Sequence, residues 1–292
     1  MSTPLVSSVI VTPFARRSRH LVRDLLSRNF NTHVHLDWQD TDHWITSDPP
    51  WIRLAWMEGT LVGVLGLSPA LERTSWVRLA GVLDHVPPAP VLSALWADVL
   101  PDLRDGDVRT VAMLMIRDWP IEVVRPLGFT FAEQIVTLRR ADQIPPADVL
   151  PEGWQIRPTR ADDIPAMTAV DHAAFVPPWQ MSMGDIYQAE KVGAHSTVVL
   201  APGEEGPHIV GYQISTMYFD GAHLARLAVH PSAQGQGVGT ALVAETLRYF
   251  ARRGLYVMTV NTQMSNAASH RVYERLGFRH NGYDLPVWMS AI

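Results

Sequence analysis

The chain has 292 residues, a net charge of −5, 47% apolar residues and no cysteine. This length accommodates two ordinary domains, and the apolar share supports a sizeable core, which excludes global disorder. Without cysteine there can be no disulfide, no thiolate metal site and no cysteinyl acyl-enzyme. No long basic run points to nucleic acid, and no apolar run approaches a membrane span. The start, Met1-Ser2-Thr3-Pro4, lacks the charged and apolar regions of a signal peptide, so a cytoplasmic protein is expected.

In the first half, residues 4–11 read as a strand and 14–30 as an amphipathic helix with Leu21, Val22, Leu25 and Leu26 on one face. His33, His35, Asp37, Asp40, Asp42 and His43 then form a polar cluster. Strand spacing puts His33, His35 and Asp37 on one side, as a metal site requires. No H-E-x-x-H motif accompanies them, so a solvated loop without metal is expected. Residues 51–56 and 61–67 read as a hairpin around Glu58-Gly59. A strand (75–83), a helix (90–103), a strand (108–116), a short helix (121–125) and a strand (130–139) follow. Residues 141–153 carry three prolines and read as a linker.

The second half repeats this order. A strand at 155–158 leads to a helix at 162–174, broken by Pro177-Pro178-Trp179 before a second helix around 184–189. A hairpin (195–200 and 209–217) precedes an apolar strand (224–229), a turn with Pro231, a glycine-rich stretch (234–239) and a helix (240–250). A strand (256–261), a helix (267–276) and a terminal strand (286–289) complete the chain. Val62-Gly63 recurs as Val210-Gly211 and Arg78-Leu79-Ala80 as Arg226-Leu227-Ala228, both at an offset of 148; Leu127-Gly128-Phe129 recurs as Leu276-Gly277-Phe278 at 149. A near-constant offset close to half the length argues for duplication. The reading is an α/β chain of two tandem domains, 1–140 and 154–292, joined by the linker 141–153.

Gly235, Gly237 and Gly239 sit at the start of the helix that follows the apolar strand. Glycines permit tight turns and close approach, and a helix start presents free N–H groups and a positive dipole end, a combination suited to phosphate. The spacing is neither the dinucleotide G-x-G-x-x-G nor a P-loop. Val229, Pro231, Gln234, Gly237 and Gly239 instead resemble motif A of the GCN5-related N-acetyltransferases (GNAT). Asn266, followed by Val272-Tyr273-Glu274-Arg275-Leu276-Gly277-Phe278, resembles a second motif of that family. The resemblance covers roughly residues 154–292, and the tandem arrangement is similar to that of mycothiol synthases in architecture, which assigns no substrate.

The resemblance implies mixed, mostly antiparallel sheets with splayed central strands flanked by helices, and direct transfer of an acetyl group from acetyl-CoA to an amine of a small molecule or peptide. By the motif match, backbone groups of Leu227 and Val229 would meet the pantetheine arm. Gln234, Gly235, Gln236, Gly237, Val238, Gly239 and Thr240 would hold the pyrophosphate. Tyr273 would be the general acid, and Asn266 would stand near the pantetheine or cap its helix. No base is named: the position that holds a glutamate in ribosomal-protein alanine acetyltransferases is Asn261 here, and Asp220, His223 and His172 are the other polar candidates. The rival reading is a non-catalytic acyl-CoA sensor or partner-binding module. The chain is expected to be a monomer or homodimer.

The first half lacks these features. Its Arg78-Leu79-Ala80 strand is followed by Asp84-His85-Val86-Pro87-Pro88-Ala89-Pro90, whose prolines offer no N–H to a phosphate and whose aspartate repels one. Four residues before Gly277 stands Tyr273, whereas four before Gly128 stands Val124. The first domain is therefore expected to have no coenzyme site of this kind.

Overall fold

The computed structural model describes residues 8–142, 150–204 and 206–292. The first part of the expected strand 4–11 and most of the expected linker lie outside them. The chain divides into two compact units, one formed by Met1–Ala132 with Leu285–Ile292 and the other by Glu133–Asp284.

In the first unit the order is β1 (Ile10–Pro13), α1 (Arg19–Arg28), β2 (Thr32–Val34), α2 (Thr41–Thr46), β3 (Trp51–Met57), β4 (Thr60–Leu67), β5 (Thr74–Val82), α3 (Pro88–Asp105), β6 (Thr110–Leu114), α4 (Ile121–Val124) and the start of β7 (Thr130–Ala141). Glu58 and Gly59 both have positive φ, which a two-residue hairpin turn between β3 and β4 requires. Strands β1, β3, β4 and β5 are antiparallel neighbours, and β5 runs parallel to β6. The polar cluster is a solvated loop only in part: Asp37, Asp40, Asp42 and His43 are exposed. His33, however, lies on β2 and is fully buried, and Asp40 caps α2, its Oδ1 accepting the His43 N–H at 2.7 Å. Among the described residues no group of His, Cys, Asp or Glu is placed to hold a metal.

The second unit contains the rest of β7, then β8 (Gln155–Pro158), α5 (Ile164–Ala174), α6 (Met183–Val192), β9 (His195–Ala201), β10 (His208–Met217), β11 (Ala222–Val229), α7 (Val238–Ala251), β12 (Val257–Gln263), α8 (Ala267–Arg275) and the start of β13 (Arg279–Ala291). Strands β8 to β11 are antiparallel neighbours, β11 is parallel to β12, and β12 is antiparallel to residues 135–141 of β7. Residues 287–291 of β13 instead pair with β6 of the first unit. The last strand of each half thus completes the sheet of the other unit, so the compact units are cut at 132/133 and 284/285 rather than at the linker.

The duplication is visible in register. The parallel pairs Thr74–Thr110, Ser75–Val111 and Trp76–Ala112 recur 148 residues later as Ala222–Met258, His223–Thr259 and Leu224–Val260. Two of the shared identities have local causes. A Cβ on Gly63 would lie 2.4 Å from Val91 of α3, and one on Gly211 would lie 3.1 Å from Val238 of α7, so each glycine lets the crossover helix press onto its sheet. Gly128 and Gly277 have φ of +91° and +85°, the left-handed position that ends a helix.

Candidate active site

Strand β11 pairs with β12 only through Leu224, although both strands run on, to Val229 and Gln263. Beyond that point β11 keeps its other neighbour, with Arg226, Leu227, Ala228 and Val229 opposite Ile214, Gln213, Tyr212 and Gly211 of β10. Ala225 is left out of this register, a bulge at the point where the strands part. The His230 N–H bonds the Val210 carbonyl at 2.8 Å, and bonding alternates along an antiparallel pair. Hence Leu227 and Val229 turn their backbone groups away from β10, into the opening between β11 and β12. The Val229 carbonyl accepts the Gln234 Nε2 at 3.0 Å.

At the far end of this edge stands the N-terminus of α7. Gly235 and Gly237 have φ of +77° and +84°, and Gly237 is the N-cap. Other residues occupy this region only with strain, so the two glycines are required by conformation. Gly239 differs: a Cβ there would sit 3.7 Å from Val229, 3.9 Å from Leu227 and 3.9 Å from Val272 of α8, which is ordinary contact. Those distances bring the helix start, the β11 edge and α8 together. The N–H groups of Val238, Gly239 and Thr240 open the helix and have no intrahelical acceptor. The Gln236 side chain bonds back to the Ser232 carbonyl at 3.0 Å.

Tyr273 lies on α8, 3% exposed, in one apolar cluster with Leu224, Leu227 and Val260. A double helix end fixes it. The Phe278 N–H bonds the Tyr273 carbonyl at 2.9 Å and the Gly277 N–H bonds the Glu274 carbonyl at 3.0 Å, while the Tyr273 and Phe278 rings pack at 5.6 Å. Burial pushes the Tyr273 hydroxyl above the usual phenol range, and the Arg226 cation partly opposes this. Asn266 is the N-cap of α8, its Oδ1 accepting the Ser269 N–H at 3.0 Å.

A second set of residues surrounds Arg226. Its guanidinium pairs with fully buried Asp171 (Nε to Oδ2 2.7 Å, Nη2 to Oδ1 2.8 Å), and Asp171 Oδ2 also accepts the Tyr212 hydroxyl at 2.6 Å. Arg226 Nη2 donates to the Trp179 carbonyl at 2.8 Å, and the guanidinium lies 3.7 Å from the centre of the Phe175 ring. The sequence signal was the repeated Arg-Leu-Ala, which marked duplication without showing what the arginine holds. The polar base candidates are dispersed. His223 bonds Thr259 at 2.8 Å and burial lowers it to about 4, His172 bonds the Met181 carbonyl at 2.9 Å, Asn261 accepts the Thr137 hydroxyl at 2.9 Å, and Asp220 is exposed.

In the first unit the same edge is filled. β5 leaves β6 after Trp76–Ala112, and β2 takes up the edge, pairing Thr32, His33 and Val34 with Gly81, Ala80 and Leu79. The His35 N–H to Arg78 carbonyl and Val82 N–H to Asn31 carbonyl bonds, each 2.9 Å, extend that pairing at both ends. Val124 holds the chain position that Tyr273 holds in the second unit, with an equivalent Phe129 N–H to Val124 carbonyl bond at 3.3 Å.

Residues 164–278 match the Acetyltransferase (GNAT) family. The second unit carries a GNAT-family domain. The mycothiol acetyltransferase of Geodermatophilus obscurus is 34% identical over 100 residues, 34% of this chain and 29% of that protein. That of Tsukamurella paurometabola is 32% identical over 183 residues, 55% of this chain and 62% of that protein. The chain therefore spans less than two thirds of the length of these relatives. A tandem GNAT protein from the clavulanic acid biosynthesis pathway covers 97% of this chain and 98% of its own, with a TM-score of 0.64 and 18% identity. That likeness extends the tandem GNAT fold to both units.

Within residues 164–278, Leu227, Val229 and the start of α7 at Gly239 lie along one strand edge, and Tyr273 packs in an apolar cluster with Leu224, Leu227 and Val260. No helix among the described residues is long and apolar enough to cross a membrane.

Proposed function

We propose that the second unit is an N-acetyltransferase that moves an acetyl group directly from acetyl-CoA to a primary amine of a small molecule or peptide. The observation that carries this reading is the opened β11 edge, with the start of α7 at one end and Tyr273 beside it. Acetyl-CoA fits these groups as a donor substrate. Leu227 and Val229 supply strand-like hydrogen bonds to the pantetheine amides. The N–H groups of Val238, Gly239 and Thr240, with the loop from Gln234 to Gly237, meet the pyrophosphate; Gly235 has open space around it, so a phosphate can approach the backbone. Asn266 caps α8 and, by the motif match, would stand near the pantetheine.

The neutral amine attacks the thioester carbonyl, the C–S bond breaks, the thiolate takes the Tyr273 proton, and the new amide nitrogen releases its extra proton to water, through which Tyr273 is reprotonated. A backbone N–H on the β11 edge stabilises the developing oxyanion, worth about 3 kcal/mol in comparable sites. Burial keeps Tyr273 protonated across the working pH range, and the same dry surroundings raise the basicity of the leaving thiolate. The first unit takes no acyl-CoA in this way, because β2 already bonds the β5 edge and Val124 has no proton to give.

The test is thiol release from acetyl-CoA against a panel of an amino sugar, a polyamine and dipeptides. With no cysteine in the chain, every thiol detected comes from the coenzyme. Amine-dependent release supports the reading. Tight acetyl-CoA binding with no release for any amine would favour an acyl-CoA sensor instead.

A further inference from the structure

From Glu133 onward β7 belongs to the second unit, although its sequence closes the first half of the chain. It pairs with β12 and holds α8 near both ends. Ahead of the Asn266 cap, the Gln134 carbonyl accepts the Met264 N–H at 2.8 Å and the Glu133 carboxylate accepts the Ser265 hydroxyl. At the other end, Arg140 Nε donates to the carbonyl of Leu276, the C-cap of α8, at 2.8 Å. Strand alternation puts Leu138 on the same face as Arg140, and Leu138 packs in the apolar cluster that contains Tyr273.

The last carbonyls of a helix lack intrahelical donors and form the negative end of its dipole. In α8 the Phe278 and Gly277 N–H groups answer the Tyr273 and Glu274 carbonyls, and a buried cation answers Leu276. The Arg140 side chain is 4% exposed. Its Nη1 donates to the Asp142 carbonyl at 2.9 Å and its Nη2 lies 3.3 Å from the Asp142 carboxylate, so the guanidinium is itself held in place. The first unit differs at this point. A Cβ on Gly277 would lie 3.6 Å from Arg140 Nε, whereas one on Gly128 would lie 3.2 Å from Ser290 Oγ. The Ser290 hydroxyl bonds the Ala291 carbonyl at 3.3 Å. The arginine thus stands behind the helix end that follows Tyr273, and a serine stands behind the one that follows Val124.

We infer that Arg140 is a positioning residue for Tyr273: together with Glu133 it makes β7 a splint that fixes α8 and so aims the Tyr273 hydroxyl. The role given to Tyr273 rests on the acetyltransferase reading; the splint does not.

The experiment uses the full chain with Arg140→Met and Arg140→Lys, each alone and combined with Tyr273→Phe. Hydrogen exchange across residues 270–276 should speed up at least about tenfold in Arg140→Met, with α7 unchanged. With the panel amine that gives the fastest thiol release, kcat should fall about tenfold, while both KM values hold within about threefold. Arg140→Lys keeps a donor for the Leu276 carbonyl and should recover most of the lost kcat. In the Tyr273→Phe chain, adding Arg140→Met should change kcat by less than about twofold, because the hydroxyl to be aimed is gone. An equal loss in both backgrounds would overturn the inference, as would unchanged exchange in α8. Should Arg140→Met fail to fold, Glu133→Ala frees the other end of α8 and is read by the same exchange and the same pairing with Tyr273→Phe. If the unaltered chain releases no thiol with any amine, the acetyltransferase reading fails, and the exchange comparison alone decides the splint.

Discussion

The two units differ at one strand edge. β5 and β11 each run parallel to a neighbour for three residue pairs and then part from it. On β5 the freed backbone groups are bonded by β2, with Thr32, His33 and Val34 opposite Gly81, Ala80 and Leu79. On β11 the corresponding groups of Leu227 and Val229 face an opening that ends at a helix N-terminus. Buried backbone donors and acceptors need partners. One copy of the duplicated fold meets that need from its own chain; in the other the Gln234 side chain meets it at the Val229 carbonyl, and the proposed function assigns the remaining groups to a ligand with strand-like amides. The helix that follows agrees with this division. α7 starts with two left-handed glycines, whereas α3 starts with prolines that have no N–H to offer.

The largest effect that would sharpen the contrast is expected from Gly237→Val. A β-branched residue at φ +84° is strained, and the helix start would shift away from its anion-binding geometry. Acetyl-CoA affinity should fall by about 100-fold or more, and thiol release should drop to background. An affinity within threefold of the unaltered chain would break the assignment of this loop.

Next in size is Tyr273→Phe, which removes the hydroxyl and keeps the ring packed on Phe278. A loss of about 100-fold in kcat is expected, with acetyl-CoA binding unchanged by calorimetry. Turnover equal to that of the unaltered chain would strip Tyr273 of its role, leaving the units distinguished by their edges alone.

A smaller effect reports on β2. Burial, with the neighbouring His35 and Arg78 charges and only partly opposed by the Val77 backbone, lowers His33 to about 3. In the unfolded chain it titrates near its ordinary value of about 6.5. Between those values the unfolded state binds the proton and the folded state does not, so stability declines as pH falls from 6.5 toward 3. At pH 5 this amounts to about 2 kcal/mol. Denaturant titrations at pH 7 and pH 5 should show that loss in the unaltered chain and its absence in His33→Leu. Identical pH dependence in the two would mean that β2 does not bury His33 on the β5 edge.

Much of the second unit was legible in the sequence because its signals are local. Gly235 and Gly237 mark backbone that only glycine adopts freely, and Leu276-Gly277-Phe278 marks the helix end that orients Tyr273. The apolar stretch before the glycines reads directly as β11. What was not legible depends on distant partners. Residues 33–43 carry so many polar side chains that they read as a solvated loop, yet β2 exists because the β5 edge supplies hydrogen bonds from residues more than forty positions away. The exchange of last strands is equally silent: residues 130–141 and 279–291 keep the same alternation whichever unit they join. Arg226 was read as a token of duplication, since its partners, Asp171 on α5 and the Trp179 carbonyl, share no sequence spacing with it.

The most direct test of the contrast between the two edges is calorimetric titration of acetyl-CoA into the full chain, with and without Gly237→Val. One site per chain, abolished by that substitution, is the predicted result. Two sites, or one site that survives Gly237→Val, would contradict the account by showing that the β5 edge also takes the donor.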